Sequence, residues 1–199
     1  MPSSEKPDPF ADLGRVLITR DSIADRVREL GLEVARDFER DAARGDSLLV
    51  IPVLTGAMIF TADLIRHMPV MTRLGLVGVS SYPGTSVESR GAIMRTEFPQ
   101  GLEGRSVLIV DDILDSGQTL ELVTRLAREQ RPASVKTCVM LKKNRGDGRA
   151  KMHADYVGFE IPDEFVVGYG LDFDDQYRNL PDIVALRAEA IRAGDKRTK

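Results

Sequence analysis

One cysteine, two histidines and no apolar run near the ~20 residues of a membrane span set the outer limits on this 199-residue chain. The lone Cys138 excludes an internal disulfide and points to a reducing compartment. His67 and His153 sit in unrelated stretches, without metal-ligand spacing. An excess of basic charge is also missing. With 28 Lys and Arg against 31 Asp and Glu, the net charge of −3 offers no general attraction to nucleic acid or an anionic membrane. The opening "MPSSEKPDPF" is polar and Pro-containing and lacks the apolar core of a signal peptide, so the chain reads as cytoplasmic.

What is present fits one domain with a substantial core. Residues 1–14 read as a flexible leader, 15–187 as a single domain and 188–199 as a polar tail. "RVLIT" is a short strand candidate. Asp21 to about Arg44 reads as a helix, with Ile23, Val27, Leu30, Val34 and Phe38 at spacings of three and four. "SLLVIPVL" is continuously apolar, as a strand buried on both faces would be. A helix from Gly56 to Met68 and one strand from Met71 to Ser80 follow. Residues 81–91 form a polar, Gly-containing loop. "SVLIVD", a helix from Gln118 to Glu129, "SVKTCVML", "DYVGFEI" and "FVVGYGL" complete the pattern. Strands alternating with helices predict an α/β fold, with a mostly parallel twisted sheet flanked by helices on both faces. Right-handed crossovers bring the carboxyl ends of such strands to one edge, where open sheets bind ligands.

At one of those ends stands "VLIVDDILDSGQTL", residues 107–120. The turn after Asp115 exposes backbone N–H groups at a helix start, where orphan donors and the helix dipole favour an anion. Ser116 and Thr119 add hydroxyls, and Gly117 lets the backbone approach closely. The result is a phosphate cradle without a Walker sequence. Asp111 and Asp112 suit sugar hydroxyls, or a Mg²⁺ ion bridging to phosphate oxygens. Asp115 remains as a candidate proton acceptor or donor. Carboxylates for a diol beside amides for a phosphate suit a phosphorylated sugar.

This stretch resembles the phosphoribosyl pyrophosphate (PRPP) signature of the type I phosphoribosyltransferases. "VLTGAMIFTADL", "SSYPGTSVESRG", "MLKKN" and "DYVGFEIPDEFVVGYGLDFDDQYRNLPDI" resemble the hypoxanthine-guanine branch in the same order, from about Val16 to Leu186. The resemblance implies that family's fold, with a small hood formed by the terminal segments. It implies that Asp111 and Asp112 bind the ribose, that Ser116, Gly117, Gln118 and Thr119 hold the 5′-phosphate, and that Asp115 is the general base or acid at purine N7. Leu54, Thr55 and Gly56, with Arg178, would bind pyrophosphate. Lys143 would read the 6-oxo group, and Phe165 and Val166 would stack on the purine and bond its edge. Asp172 would lie in the purine site and, with Asp111 and Asp112, serve as a Mg²⁺ ligand. Ser81 and Tyr82 would begin a closing loop that excludes water. Thr55 and Gln118 depart from the pattern, since both stand where a basic residue is often found.

The implied activity is 6-oxopurine salvage, with PRPP and hypoxanthine or guanine giving IMP or GMP and pyrophosphate. Small-molecule partners, no nucleic acid or membrane, and a homo-oligomer (dimer or tetramer) go with it. Two alternatives stay open here: a xanthine-preferring or other-base enzyme, and a PRPP-fold regulator that binds nucleotides or RNA. Lys142 beside Lys143 also leaves two registers for the base-reading lysine.

Overall fold

The computed structural model describes residues 10–41, 47–81, 92–144 and 152–197. Strand β1 (Leu13–Ile18) leads into helix α1 (Arg20–Asp41), then β2 (Leu48–Leu54), α2 (Met58–Arg66), β3 (Thr72–Leu74), β4 (Val77–Ser81) and β5 (Ala92–Met94). β6 (Ser106–Leu114), α3 (Gln118–Glu129), β7 (Ser134–Asn144) and β8 (Tyr156–Pro162) follow. The described chain closes with β9 (Val166–Val167), β10 (Ile183–Leu186) and α4 (Ala188–Arg197).

Seven strands form the central sheet in the order β5-β4-β2-β6-β7-β8, with β3 also paired to β2. All its pairings are parallel except β4 with β5. β2 carries the unbroken apolar run and is buried along almost its whole length, as a strand covered on both faces must be. A second sheet, β1-β10-β9, is antiparallel and joins the two ends of the domain. It corresponds to the expected hood. Arg20 fastens it to the start of α1, giving its backbone N–H to Asp182 at 2.8 Å and its guanidinium at 2.9 Å.

The stripe Ile23, Val27, Leu30, Val34 and Phe38 is buried against the sheet, as the spacing predicts. Arg26, on the same helix, donates to the carbonyls of Val157 and Gly158 at 2.9 and 3.1 Å, locking α1 to β8. Leu120, Val123 and Ala127 of α3 fill the opposite face with Ile51, Val77 and Ile109. Cys138 is free and fully buried, and burial pushes its thiol far up. Among the described residues no helix is long and apolar enough to cross a membrane.

Several boundaries differ from the sequence-based expectation. Met71–Ser80 is two strands: β3 pairs with Leu48–Val50 and β4 with Val53–Leu54, and between them Gly75 packs where a Cβ would lie 2.9 Å from Pro99. β6 does not stop at the first aspartate but runs on to Leu114, since β7 continues beside it and pairs with Asp111, Ile113 and Leu114. β7 likewise extends through Lys142 and Lys143. β1 begins inside the segment expected as leader, and the segment expected as a polar tail starts as helix α4. The "FVVGYGL" strand is only two residues long before positive-φ turns break it, and β5 and β10 add strands that the sequence pattern does not mark.

α2 directly follows the 54–56 loop, and Phe60 anchors it in the core with no exposure. Phe60→Ala is expected to cost about 3–5 kcal/mol. That corresponds to a drop of roughly 6–20 °C in Tm for a chain of this size. Thermal unfolding measures it, and a shift under 2 °C would mean the α2 contact is not a keystone of the core.

Candidate functional site

In the sheet, β2 has β4 on one side and β6 on the other, so the strand order reverses between β2 and β6. Crevices at such switch points, outside the carboxyl ends of the strands, are where open α/β sheets take ligands. A cleft of about 640 Å³ opens there. Its walls are Leu54, Thr55 and Gly56 after β2, Asp111 to Gly117 along β6 and its turn, and Asp172, Asp175 and Arg178 from the 170–178 segment. Thr119 and Ser80 also reach it.

Contact across the switch point is tight. A Cβ on Gly56 would fall 1.8 Å from Oδ2 of Asp112. Gly170, at φ +102, packs so closely that its own Cβ would lie 2.3 Å from the Gly56 carbonyl oxygen. Position 170 therefore requires glycine, and a side chain at position 56 would displace the Asp112 carboxylate. The Leu54–Thr55 peptide is cis. Thr55 is exposed and presents a hydroxyl but no charge.

Asp111 is 5% exposed and accepts the Asp112 N–H at 3.0 Å, while Asp112 accepts the Ile113 N–H at 2.8 Å. Burial, and then the neighbouring Asp112 charge, push the Asp111 carboxyl well above the usual range. Burial also raises Asp112, against hydrogen bonds and the Arg178 charge that lower it. A buried and a half-buried carboxyl side by side are an all-oxygen donor set that gains from a cation. Among the described residues no three His, Cys, Asp or Glu side chains could hold a metal unaided. One or two carboxylates completed by ligand phosphate oxygens is the pattern that suits Mg²⁺.

Gly117 takes φ +81 ahead of α3, where a Cβ would lie 3.0 Å from Met152. This turn brings Ser116, Gly117 and Thr119 to the cleft at the start of the helix. Ser116 is exposed and Thr119 lines the wall, whereas Gln118 is exposed and does not line the cleft. Arg178 donates to the Gly170 carbonyl at 2.8 Å and pairs with Asp172 at 2.7 Å and Asp175 at 3.3 Å. Asp172 also accepts the Asp175 N–H at 2.9 Å, so this segment is a preset cationic and acidic unit.

The two lysines separate cleanly. Lys142 pairs with Glu160 at 2.7 Å. Lys143 is 11% exposed and lies 3.4 Å from both Asp115 and Asp163. Alternation along β7 sends adjacent side chains to opposite faces, and the one turned toward Asp115 is Lys143. Phe165 is 40% exposed and stands edge-on to Phe173, with ring centroids 5.4 Å apart. Val166 is buried in β9. Lys143, Phe165 and Val166 lie outside the cleft lining itself, joined to it through Asp115 and through Phe173 beside Asp172. Ser81 ends β4, and Tyr82 with the rest of the expected closing loop lies outside the described residues.

Asp163, Asp175 and Gly170 escaped the sequence reading. Gly170 left a trace in the "GYG" of "VVGYGL".

Known proteins resemble this chain closely. The family profile described as "Phosphoribosyl transferase domain" matches residues 19–174. A hypoxanthine-guanine phosphoribosyltransferase of Mycobacterium bovis is 42% identical over 171 residues, 85% of this chain and 84% of the relative. That of Bacillus subtilis is 40% identical over 176 residues, 88% and 94%. The structure of a Trypanosoma cruzi hypoxanthine phosphoribosyltransferase in complex with the product IMP superposes with a TM-score of 0.80. It is 40% identical, covering 92% of this chain and 99% of the other.

The raised Asp111 carboxyl has a consequence for stability. A carboxyl that holds its proton more tightly when folded makes the fold lose stability as pH climbs from the ordinary carboxylate range through the raised value. Asp111→Asn removes that loss and can keep the acceptor for the Asp112 N–H. The ligand-free variant is expected to melt above wild type at about pH 8, with the gap closing toward about pH 4. A variant less stable than wild type at the higher pH would show that burial does not penalise this charge.

Proposed function

The chain belongs to the phosphoribosyl transferase family, and on that premise we propose that it carries the 5-phosphoribosyl group of PRPP to hypoxanthine or guanine. The products are IMP or GMP and pyrophosphate, and the setting is purine salvage. The observation that carries the choice of base is Lys143, nearly buried and 3.4 Å from Asp115. An ammonium donates to a 6-oxo group and has nothing with which to accept from a 6-amino group.

In this reading the amides after Gly117, with Ser116 and Thr119, bind the 5′-phosphate at the start of α3. Asp111 and Asp112 take the ribose hydroxyls. The backbone of 54–56 and Arg178 receive the pyrophosphate. One or two of Asp111, Asp112 and Asp172, completed by phosphate oxygens of the substrate, would hold Mg²⁺, which would supply the positive charge an anionic diphosphate needs among carboxylates. As N9 attacks the ribosyl carbon, pyrophosphate departs from it and the base must lose a proton overall. Asp115 is the acceptor at N7. Phe165 packs on the purine face and the main chain at Val166 meets its edge. Ser81 and Tyr82 open the segment that would keep water from the oxocarbenium-like centre. A homo-oligomer in the cytoplasm completes the proposal, and a free, buried Cys138 is compatible with a reducing compartment.

Purified protein given PRPP, Mg²⁺ and a panel of bases tests the reading. Hypoxanthine and guanine are expected to turn over, with adenine poorer by about 10³-fold or more in kcat/KM. Comparable adenine turnover would overturn the Lys143 role, and no turnover with any base would overturn the function. A second measurement isolates Asp115. Asp115→Asn keeps the shape and removes the acceptor, so kcat is expected to fall by about 10²–10⁴-fold. PRPP binding should change little, because its cradle is mostly backbone and hydroxyl. Single-turnover rates and equilibrium PRPP binding check both halves, and lost binding with an intact chemical rate would reverse the assignment.

A further inference from the structure

Lys143 has two carboxylates, and the mechanism above uses only one. Its Nζ lies 3.4 Å from Oδ2 of Asp115 and 3.4 Å from Oδ1 of Asp163. These acids come from different elements: Asp115 from the turn before α3, Asp163 from just after β8. Asp163 is also two residues before Phe165 in the chain. The neighbouring lysine shows the contrast, since Lys142 is engaged by Glu160 at 2.7 Å on the other side of β7. Each lysine thus has its own acid from the β8 side, and Lys143 alone is shared with the proposed proton acceptor.

Sharing matters because the reaction asks two things of one neighbourhood. Lys143 must offer a proton to the 6-oxo group while Asp115 stays open to N7. An ammonium drawn toward Asp115 alone would occupy both groups with each other, and the base would have to break that pair to enter. A second carboxylate at the same distance counters the pull and leaves Nζ between two attractions. It also links the base-reading lysine to the segment that carries Phe165 and Val166.

We propose that Asp163 is a positioning residue for base recognition: it holds the Lys143 ammonium off Asp115, so that an incoming 6-oxopurine meets a donor and a proton acceptor that are separately available. This rests on the base-recognition reading above. Asp163 touches neither the reacting atoms nor PRPP, and it acts through Lys143.

Asp163 is about half exposed, so replacing it leaves the core intact. In Asp163→Asn, KM for hypoxanthine is expected to rise about two- to fivefold, as loss of a partly screened charge contact allows. The PRPP dissociation constant should stay within about twofold, because that site is not touched. Asp163→Glu, which keeps the charge, is expected to recover most of the loss. The decisive comparison is a double-mutant cycle: in a Lys143→Gln background, Asp163→Asn should raise KM no further. An unchanged KM in Asp163→Asn would overturn the proposal. So would an equal rise in both backgrounds, which would mark a structural role independent of Lys143. If Lys143→Gln by itself alters neither KM for hypoxanthine nor the preference over adenine, the base-recognition reading falls, and this inference falls with it.

Discussion

The backbone of Gly56 pressed against the Asp112 carboxylate is the constraint on which the rest of the cleft depends. β2 and β6 lie side by side, and the segments that follow them turn away in opposite senses. Where they part, a side chain at position 56 would push the Asp112 carboxylate from its place. Gly170 then caps the Gly56 carbonyl at a backbone angle that side chains avoid. Three remote stretches of chain are fixed to one another by atoms that are not there. The turn held by Gly170 presents Asp172 and Arg178 to the cleft as an already formed ion pair. An ion pair formed before a ligand arrives suits the positioning of reactants.

The same geometry concentrates negative charge in a poorly solvated place, a burden that other parts of the molecule must offset. They do so with contacts that serve no substrate. Tyr156 donates to Asp37 at 2.8 Å, and Asp155 takes both the amide and the hydroxyl of Thr137 at 2.7 and 2.9 Å. Tyr169 donates to Asp63 at 2.8 Å, tying the 168–171 turn to α2. These bonds, with the apolar clusters on both sheet faces, let the carboxylates stay where chemistry wants them.

Much of this was legible in the chain. The 3-and-4 spacing of Ile23 through Phe38 and the apolar run of β2 gave two core elements, because burial imposes its period on sequence. The aspartates and small residues of 111–119 signalled the cleft, because their chemistry is local. What stayed hidden depends on partners. β6 runs past Asp111 only because β7 continues beside it. The choice between Lys142 and Lys143 follows from strand alternation and cross-strand neighbours, which counting along the chain does not supply. Asp163 acquires meaning only through a lysine twenty residues earlier that the β7–β8 ladder brings close. Val166–Val167 is short because Tyr169 and two glycines take positive φ, a tertiary demand that overrides its β-forming residues.

Cys138 sits at the centre of β7 with no exposure, its thiol held in the unreactive form. Since it is the chain's single cysteine, the native protein presents a silent background to thiol-directed probes. A spin label or fluorophore attached to a cysteine introduced on the rim of the cleft would report from that point alone. The native sulfur need not be removed, and the packing it supports beneath the catalytic edge would remain undisturbed.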